Sequence, residues 1–102
     1  MTEQEIENYI TGNKLEAPRL TPEYIDSLII SEDYYHFPGT NIVVCCLLVK
    51  NKFGVIGESS CVSDDNFDIE LGKKISFENA RDKIWMLEGY LLKEKLYENA
   101  SD

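Results

Sequence analysis

The chain has 102 residues, a hydrophobic fraction of 43% and a formal net charge of -9, enough for one small domain and too acidic to grip duplex phosphates. No apolar run reaches the ~18 residues of a membrane span. The opening MTEQEIENYI lacks the basic start and apolar centre of a signal peptide, so a soluble, cytoplasmic protein is expected.

Thr2-Glu3-Gln4-Glu5 reads as a capping box ahead of Ile6, Tyr9 and Ile10, and Gly12 supplies a stop, so a short N-terminal helix is expected. Residues 13–20 carry no periodicity and include Pro18. They read as a linker, making residues 1–20 an acidic extension with a short helix and residues 21–102 a single α+β domain. Thr21-Pro22-Glu23 is a second helix start, followed by an apolar stripe of Tyr24, Ile25, Leu28 and Ile29 running to about Ile30. Ser31 to Thr40 is expected to be a loop, crowded with Tyr34, Tyr35, His36 and Phe37. Its rings either cover a sheet or subunit contact, or offer a stacking surface to a base.

Asn41 to Lys50, NIVVCCLLVK, is continuously apolar and β-branched, as in a strand buried on both faces. Lys50-Asn51-Lys52 turns it into a hairpin. The returning strand alternates, with Phe53, Val55, Gly57, Ser59 and Cys61 on one side and Ile56, Glu58 and Val62 on the other. Adjacent Cys45 and Cys46 point to opposite faces there, and with Cys61 they read as free, buried thiols. Ser63 with Asp64 and Asp65 is expected to start the long C-terminal helix. Phe77, Ala80, Ile84, Leu87 and Leu91 form its core stripe, with Leu71, Ile75 and Asn79 as a neighbouring line. The expected fold is α+β: an antiparallel hairpin or small sheet packed with an N-terminal helix and a long C-terminal helix. A doubly apolar strand in so small a domain leaves one face for the helices and asks for a second copy of the chain on the other.

The charge is uneven. Residues 1–40 hold two bases against eight acids, whereas residues 73–95 hold six bases against four acids. The basic island of Lys73, Lys74, Arg81, Lys83, Lys93 and Lys95 either makes helical pairs, with Glu78 the partner of Arg81, or forms a local anion site. Asn79, beside apolar groups, either bonds backbone or faces a ligand. Catalytic patterns are poorly supported. Asp64-x-Asn66-x-Asp68 begins like a calcium loop, but Ile69 and Ile75 stand where glycine and glutamate belong. Gly57-Glu58-Ser59-Ser60-Cys61 is not a nucleophile elbow, and His36 is the sole histidine. No enzyme activity, metal or cofactor is expected.

The stretches TPEYIDSLIISEDYY and NKFGVIGESSCVSDDNFDIELGKKISFENARDKIWMLEGYLL resemble a family of short phage and prophage proteins labelled by gene-product number. The motifs G-E-S-S-C, N-F-D-x-E-x-G, E-N-A-R-D-K-I-W and L-E-G-Y-L-L carry the resemblance, which spans Thr21 to Leu96. Two positions depart from the family pattern. Lys52 replaces a glycine, and a type I′ turn would force it to positive φ; Asp64 replaces a proline. Members of this group resemble the Thoeris anti-defence sponges, phage proteins that sequester a cyclic ADP-ribose isomer made by bacterial TIR-domain sensors. Some such sponges also hold cyclic di- or trinucleotides. The resemblance implies ligand binding without chemistry in the host bacterial cytoplasm, by oligomers built from dimers with sites at subunit interfaces. Carried over by position, Asn66, Phe67, Asn79 and Arg81 match the family's polar and aromatic motif. Residue chemistry adds Tyr35, Phe37 and Phe53 as stacking rings. Lys73, Lys74, Lys83 and Arg81, with the amides near Ser63 to Asn66, are the phosphate donors. The rival expectations are a module that docks a host protein through its acidic N-terminal third, and an enzyme that degrades the same nucleotide.

Overall fold

The two N-terminal caps form where the sequence places them. In the computed structural model, which describes residues 1–15 and 17–100, helix α1 (Glu3–Gly12) opens on a closed capping box. Glu5 N donates to Thr2 Oγ1, and Thr2 N donates to Glu5 Oε1, each at 3.1 Å. Glu16 of the linker and the last two residues of the 21–102 domain lie outside the described residues. Helix α2 (Pro22–Leu28) starts with Thr21 Oγ1 accepting from Tyr24 N.

The chain then departs from the expected loop. Helix α2 stops at Leu28, and strand β1 (Ile29–His36) follows at once. It pairs antiparallel with β2 (Ile42–Val49), which pairs antiparallel with β3 (Gly54–Ser60), giving the order β1-β2-β3. Tyr34 and Gly57 both stand opposite Cys45, and the β1 register shifts between Ile29 and Ser31. Glu32-Asp33 and the crowded rings hide β1 in the sequence; its backbone is satisfied by β2, a partner that local pattern does not reveal. The hairpin turn brings Lys52 to φ 75, with Lys52 N donating to the Val49 carbonyl at 2.8 Å. Lys52 thus holds the left-handed conformation that favours glycine.

The start of the long helix is also displaced. Ser63 makes no side-chain cap; it precedes a 3-10 turn at Asp64–Asn66, and the chain re-extends at Phe67. Asn41 Nδ2 donates to Asp64 Oδ1 at 2.7 Å and to the Cys61 carbonyl at 3.0 Å, tying this turn to the start of β2. Helix α3 (Ile69–Ala100) is capped by Asp68, whose Oδ1 accepts from Glu70 N at 2.9 Å and Leu71 N at 3.3 Å. Asp68→Ala is therefore expected to cost about 1 kcal/mol, and Ser63→Ala much less. Chemical denaturation of the two variants side by side checks this; equal midpoints would show that the Asp68 contacts contribute nothing.

Helix α3 lies on one face of the sheet. Its buried ridge is Gly72, Ser76, Ala80 and Ile84, one residue per turn. The expected stripe is thus corrected: Ala80 and Ile84 are core, Phe77 is half-buried, and Leu87 and Leu91 remain exposed. The reason is close approach. A Cβ on Gly57 would strike the Ala80 nitrogen and the Ser76 carbonyl oxygen, so α3 rests on bare β3 backbone. Ile25, Cys45, Leu47, Val55, Ala80 and Ile84 form one cluster, and Val43 is equally enclosed.

All three cysteines are free thiols, but only Cys45, which faces this core, is buried; Cys46 faces the opposite side and is exposed, and Cys61 is half-buried, which corrects the expectation of three buried thiols. Burial pushes the Cys45 thiol above its ordinary range. The second face of the sheet carries Tyr35, Val44, Cys46, Leu48 and Ile56 together with Asp33 and Glu58, and among the described residues no element covers it. Within a single chain β2 is therefore covered on one face only.

Candidate functional site

The two flanks of α3 sort the candidate ligand residues. Residues four apart share a helix flank, and bonds to the sheet identify each one. Lys73 Nζ stands 5.7 Å from the centre of the Tyr34 ring, which places the Lys73, Phe77 and Arg81 flank toward β1 and α2. Asn79 Nδ2 donates to the Glu58 carbonyl at 2.7 Å, which places Asn79 and Lys83 toward the β3 edge. Of the two alternatives for Asn79, the bond to backbone is the one realised.

The β1 flank holds a continuous groove. One end, of about 660 Å³, is lined by Glu32, Tyr34, Glu70, Lys73, Lys74, Phe77 and Glu78. The other end, of about 550 Å³, shares Glu32, Phe77 and Glu78 and continues to Ser31, Asp26, Glu3 and Arg81. Tyr34 donates its hydroxyl to Glu32 Oε2 at 2.9 Å. Burial, and then this bond, hold the phenol above its ordinary range.

Arg81 departs most from expectation. It is not an exposed helix-surface residue paired with Glu78. Its side chain is 6% exposed; Nε donates to Asp26 Oδ1 at 2.8 Å and Nη1 to Glu3 Oε2 at 2.6 Å. Its carbon lies 6.0 Å from the centre of the Trp85 ring. Burial works against the charge, but the bonds to Asp26 and Glu3 outweigh it and hold the guanidinium above the ordinary arginine range. Two partners 55 and 78 residues away in sequence are beyond helical spacing rules. Sequence reasoning missed both, and it missed Tyr34 and Phe77 as groove walls.

The remaining candidates lie elsewhere. Tyr35 and Phe37 meet edge to face, 4.8 Å apart, at the margin of the uncovered sheet face. Phe67 stacks at a tilt against His36, 5.0 Å away, and His36 Nε2 donates to the Thr40 carbonyl at 2.6 Å. Asn66 is exposed beside Phe67. Phe53 lines an apolar pocket of about 390 Å³ with Leu28, Val55, Ile84, Leu87 and Leu91, where the sheet ends and α3 continues. One chain thus gathers Lys73, Lys74 and Arg81 into a groove and leaves the stacking rings on other faces. Among the described residues no group of three or more His, Cys, Asp or Glu is arranged to hold a metal ion. None of the described helices is long and apolar enough to cross a membrane.

The sequence model of the phage protein (N4 Gp49/phage Sf6 gene 66) family matches residues 20–96. Helix α2, the whole sheet and most of α3 fall inside the match, and α1 falls outside it. Comparisons with curated proteins and with solved structures found no match.

Proposed function

The chain belongs to this phage protein family, and from that premise we propose that it is an anti-defence sponge, which sequesters a cyclic nucleotide signal of the ADP-ribose type without altering it. Cyclic di- and trinucleotides form the wider ligand class. The observation that carries the proposal is the uncovered sheet face. It presents Cys46 and Ile56, with the half-buried Val44 and Leu48, between Asp33 on one edge strand and Glu58 on the other, and has the Tyr35–Phe37 pair at its margin. An apolar patch rimmed by rings and polar groups marks a contact surface. A second copy set against it would shield β2 and enclose the rings in a drier space where adenine can stack. The resemblance of the motifs between Thr21 and Leu96 to the sponge group supports the same reading, as does the spread of stacking rings and cationic groups over separate faces of one chain.

Incubation with cyclic ADP-ribose isomers, followed by removal of the protein, denaturation and chromatography, tests this proposal. Depletion from solution and release of intact ligand are expected. An altered product would replace the sponge by an enzyme. No depletion would leave the rival reading of a protein-docking module, which the exposed acidic α1 favours. The oligomer is tested separately. Light scattering at low micromolar concentration is expected to give a multiple of 11.7 kDa. Ile56→Asp, which charges the β3 side of the open face, should shift the mass toward one chain. A mass of one chain for the unmodified protein would refute the dimeric site.

A further inference from the structure

The two edges of the sheet are unequal. Phe37 N donates to the Ile42 carbonyl and Cys61 N to the Asn41 carbonyl, which fixes the alternation of the ladder on both outer strands. On β3 the outward backbone groups belong to Ile56 and Glu58, and Asn79 Nδ2 closes the Glu58 carbonyl from α3 at 2.7 Å. On β1 they belong to Glu32 and Tyr34. Among the described residues no strand or side chain closes them, and the stretch from Ile30 to Asp33 is exposed. An open edge of this kind is a template for a further strand.

The charge beside the edge selects its occupant. The groove between β1 and α3 is lined by five carboxylates against three cations, and Asp33 adds an acid on the other face of the strand. Arg81 is held by Asp26 and Glu3, and Lys73 by Glu70 at 3.8 Å, which leaves Lys74 against Glu32 and Glu78. We propose that the outer edge of β1 takes a basic, extended peptide segment of a partner protein as a fourth, antiparallel strand. Its lysines or arginines stand at alternate positions and point into the groove. Main-chain bonds to Glu32 and Tyr34 supply the attachment, and the carboxylates supply the choice of side chain. The half-buried Phe77 and the exposed Ile30 give the aliphatic stems an apolar floor. A second copy of β1 is a poor occupant, because pairing about the middle of the strand sets Glu32 or Asp33 against itself. The edge is not the open face of the sheet, so this assignment is independent of the sequestration reading.

Amide hydrogen exchange reads the edge directly. The Glu32 and Tyr34 amides are expected to exchange fast in the unmodified protein, whereas those of Asp33 and Tyr35 sit in the ladder with β2. The probe is a blocked peptide alternating lysine with threonine, matched in length to β1, at low salt. It should slow exchange at Glu32 and Tyr34 several-fold and leave Ile56, on the opposite edge, unchanged. Two control peptides should do neither: one with glutamate in place of lysine, and one methylated on the backbone nitrogens of its lysines. The second keeps the charge and loses the donors that face β1. Glu78→Lys, at an exposed helix position, should weaken the lysine peptide several-fold by calorimetric titration. Unmoved Glu32 and Tyr34 amides, or equal protection by the methylated peptide, would overturn strand addition. Equal protection by the glutamate peptide, or unchanged affinity in Glu78→Lys, would overturn the basic partner. Protection that rises with protein concentration alone would give the edge to a second copy and overturn the assignment as well.

Discussion

Gly57→Ala is expected to cost about 3 kcal/mol or more, at or above the top of the range for overpacked cores. Overpacking is usually relieved by a side chain turning aside. Here the added methyl group meets the backbone of α3 at Ser76 and Ala80, which cannot rotate away. The helix must lift off β3, and the enclosed cluster of Cys45, Val55, Ala80 and Ile84 opens with it. Against the roughly 5–15 kcal/mol that holds a small domain together, that loss leaves little margin. Gly89→Ala is the control. Nothing lies within 4 Å of the position, and alanine is the better helix former, so about 0.5–1 kcal/mol of stabilisation is expected. Urea denaturation of both variants decides the matter. A Gly57→Ala midpoint equal to that of the parent would mean that α3 does not rest on bare strand.

The second large effect belongs to the Arg81 cluster, and it is unequal between the partners. Removing Asp26 leaves an enclosed guanidinium with one carboxylate, and breaking a buried pair from that side is the costly direction. Asp26 and Glu3 are themselves about half exposed, so the full penalty is reduced by solvent. Asp26→Ala should cost about 2–3 kcal/mol, and Glu3→Ala no more than about 1 kcal/mol. Arg81→Ala should fall near the Asp26 value, because it also strips the aliphatic stem and the ring contact with Trp85. Because the guanidinium stays charged throughout the accessible pH range, none of this cost titrates from its side. Denaturant midpoints for the three variants test the order; Asp26→Ala no worse than Glu3→Ala would refute it. It also follows that Arg81→Ala confounds binding with folding. Lys73→Ala and Asn66→Ala, at more exposed positions, are the cleaner probes of ligand affinity.

What the sequence discloses here is what neighbouring residues decide among themselves. The capping box at Thr2, the proline start after Thr21, the apolar run of β2 and the alternation of β3 are local, and each forms in place. Strand β1 is different: Glu32 and Asp33 speak against a strand, and β2 overrides them by supplying backbone partners. Ser63 and Asp68 are equally good caps by type. The choice falls to Asp68 because Asn41, from across the hairpin, holds Asp64 and the Cys61 carbonyl in a separate turn. The ridge of Gly72, Ser76 and Ala80 looks weak to any search for large apolar side chains. Its meaning emerges only with Gly57 beneath it. The candidate site was least legible, since the partners of Arg81 come from two distant segments and the stacking rings fall on separate faces.

Helix α3 outruns the sheet it lies on. Its 32 residues span about 48 Å, against about 26 Å for the eight-residue strands. The chain measures 56 × 31 × 20 Å, with a radius of gyration of 16.9 Å, where a compact chain of this length would have about 13 Å. Such a body tumbles and diffuses as if it were heavier. On a size-exclusion column one chain should elute ahead of a spherical standard of its own mass, in the range where a globular dimer would run. Elution volume therefore cannot count the subunits of this protein, and only a shape-independent mass can.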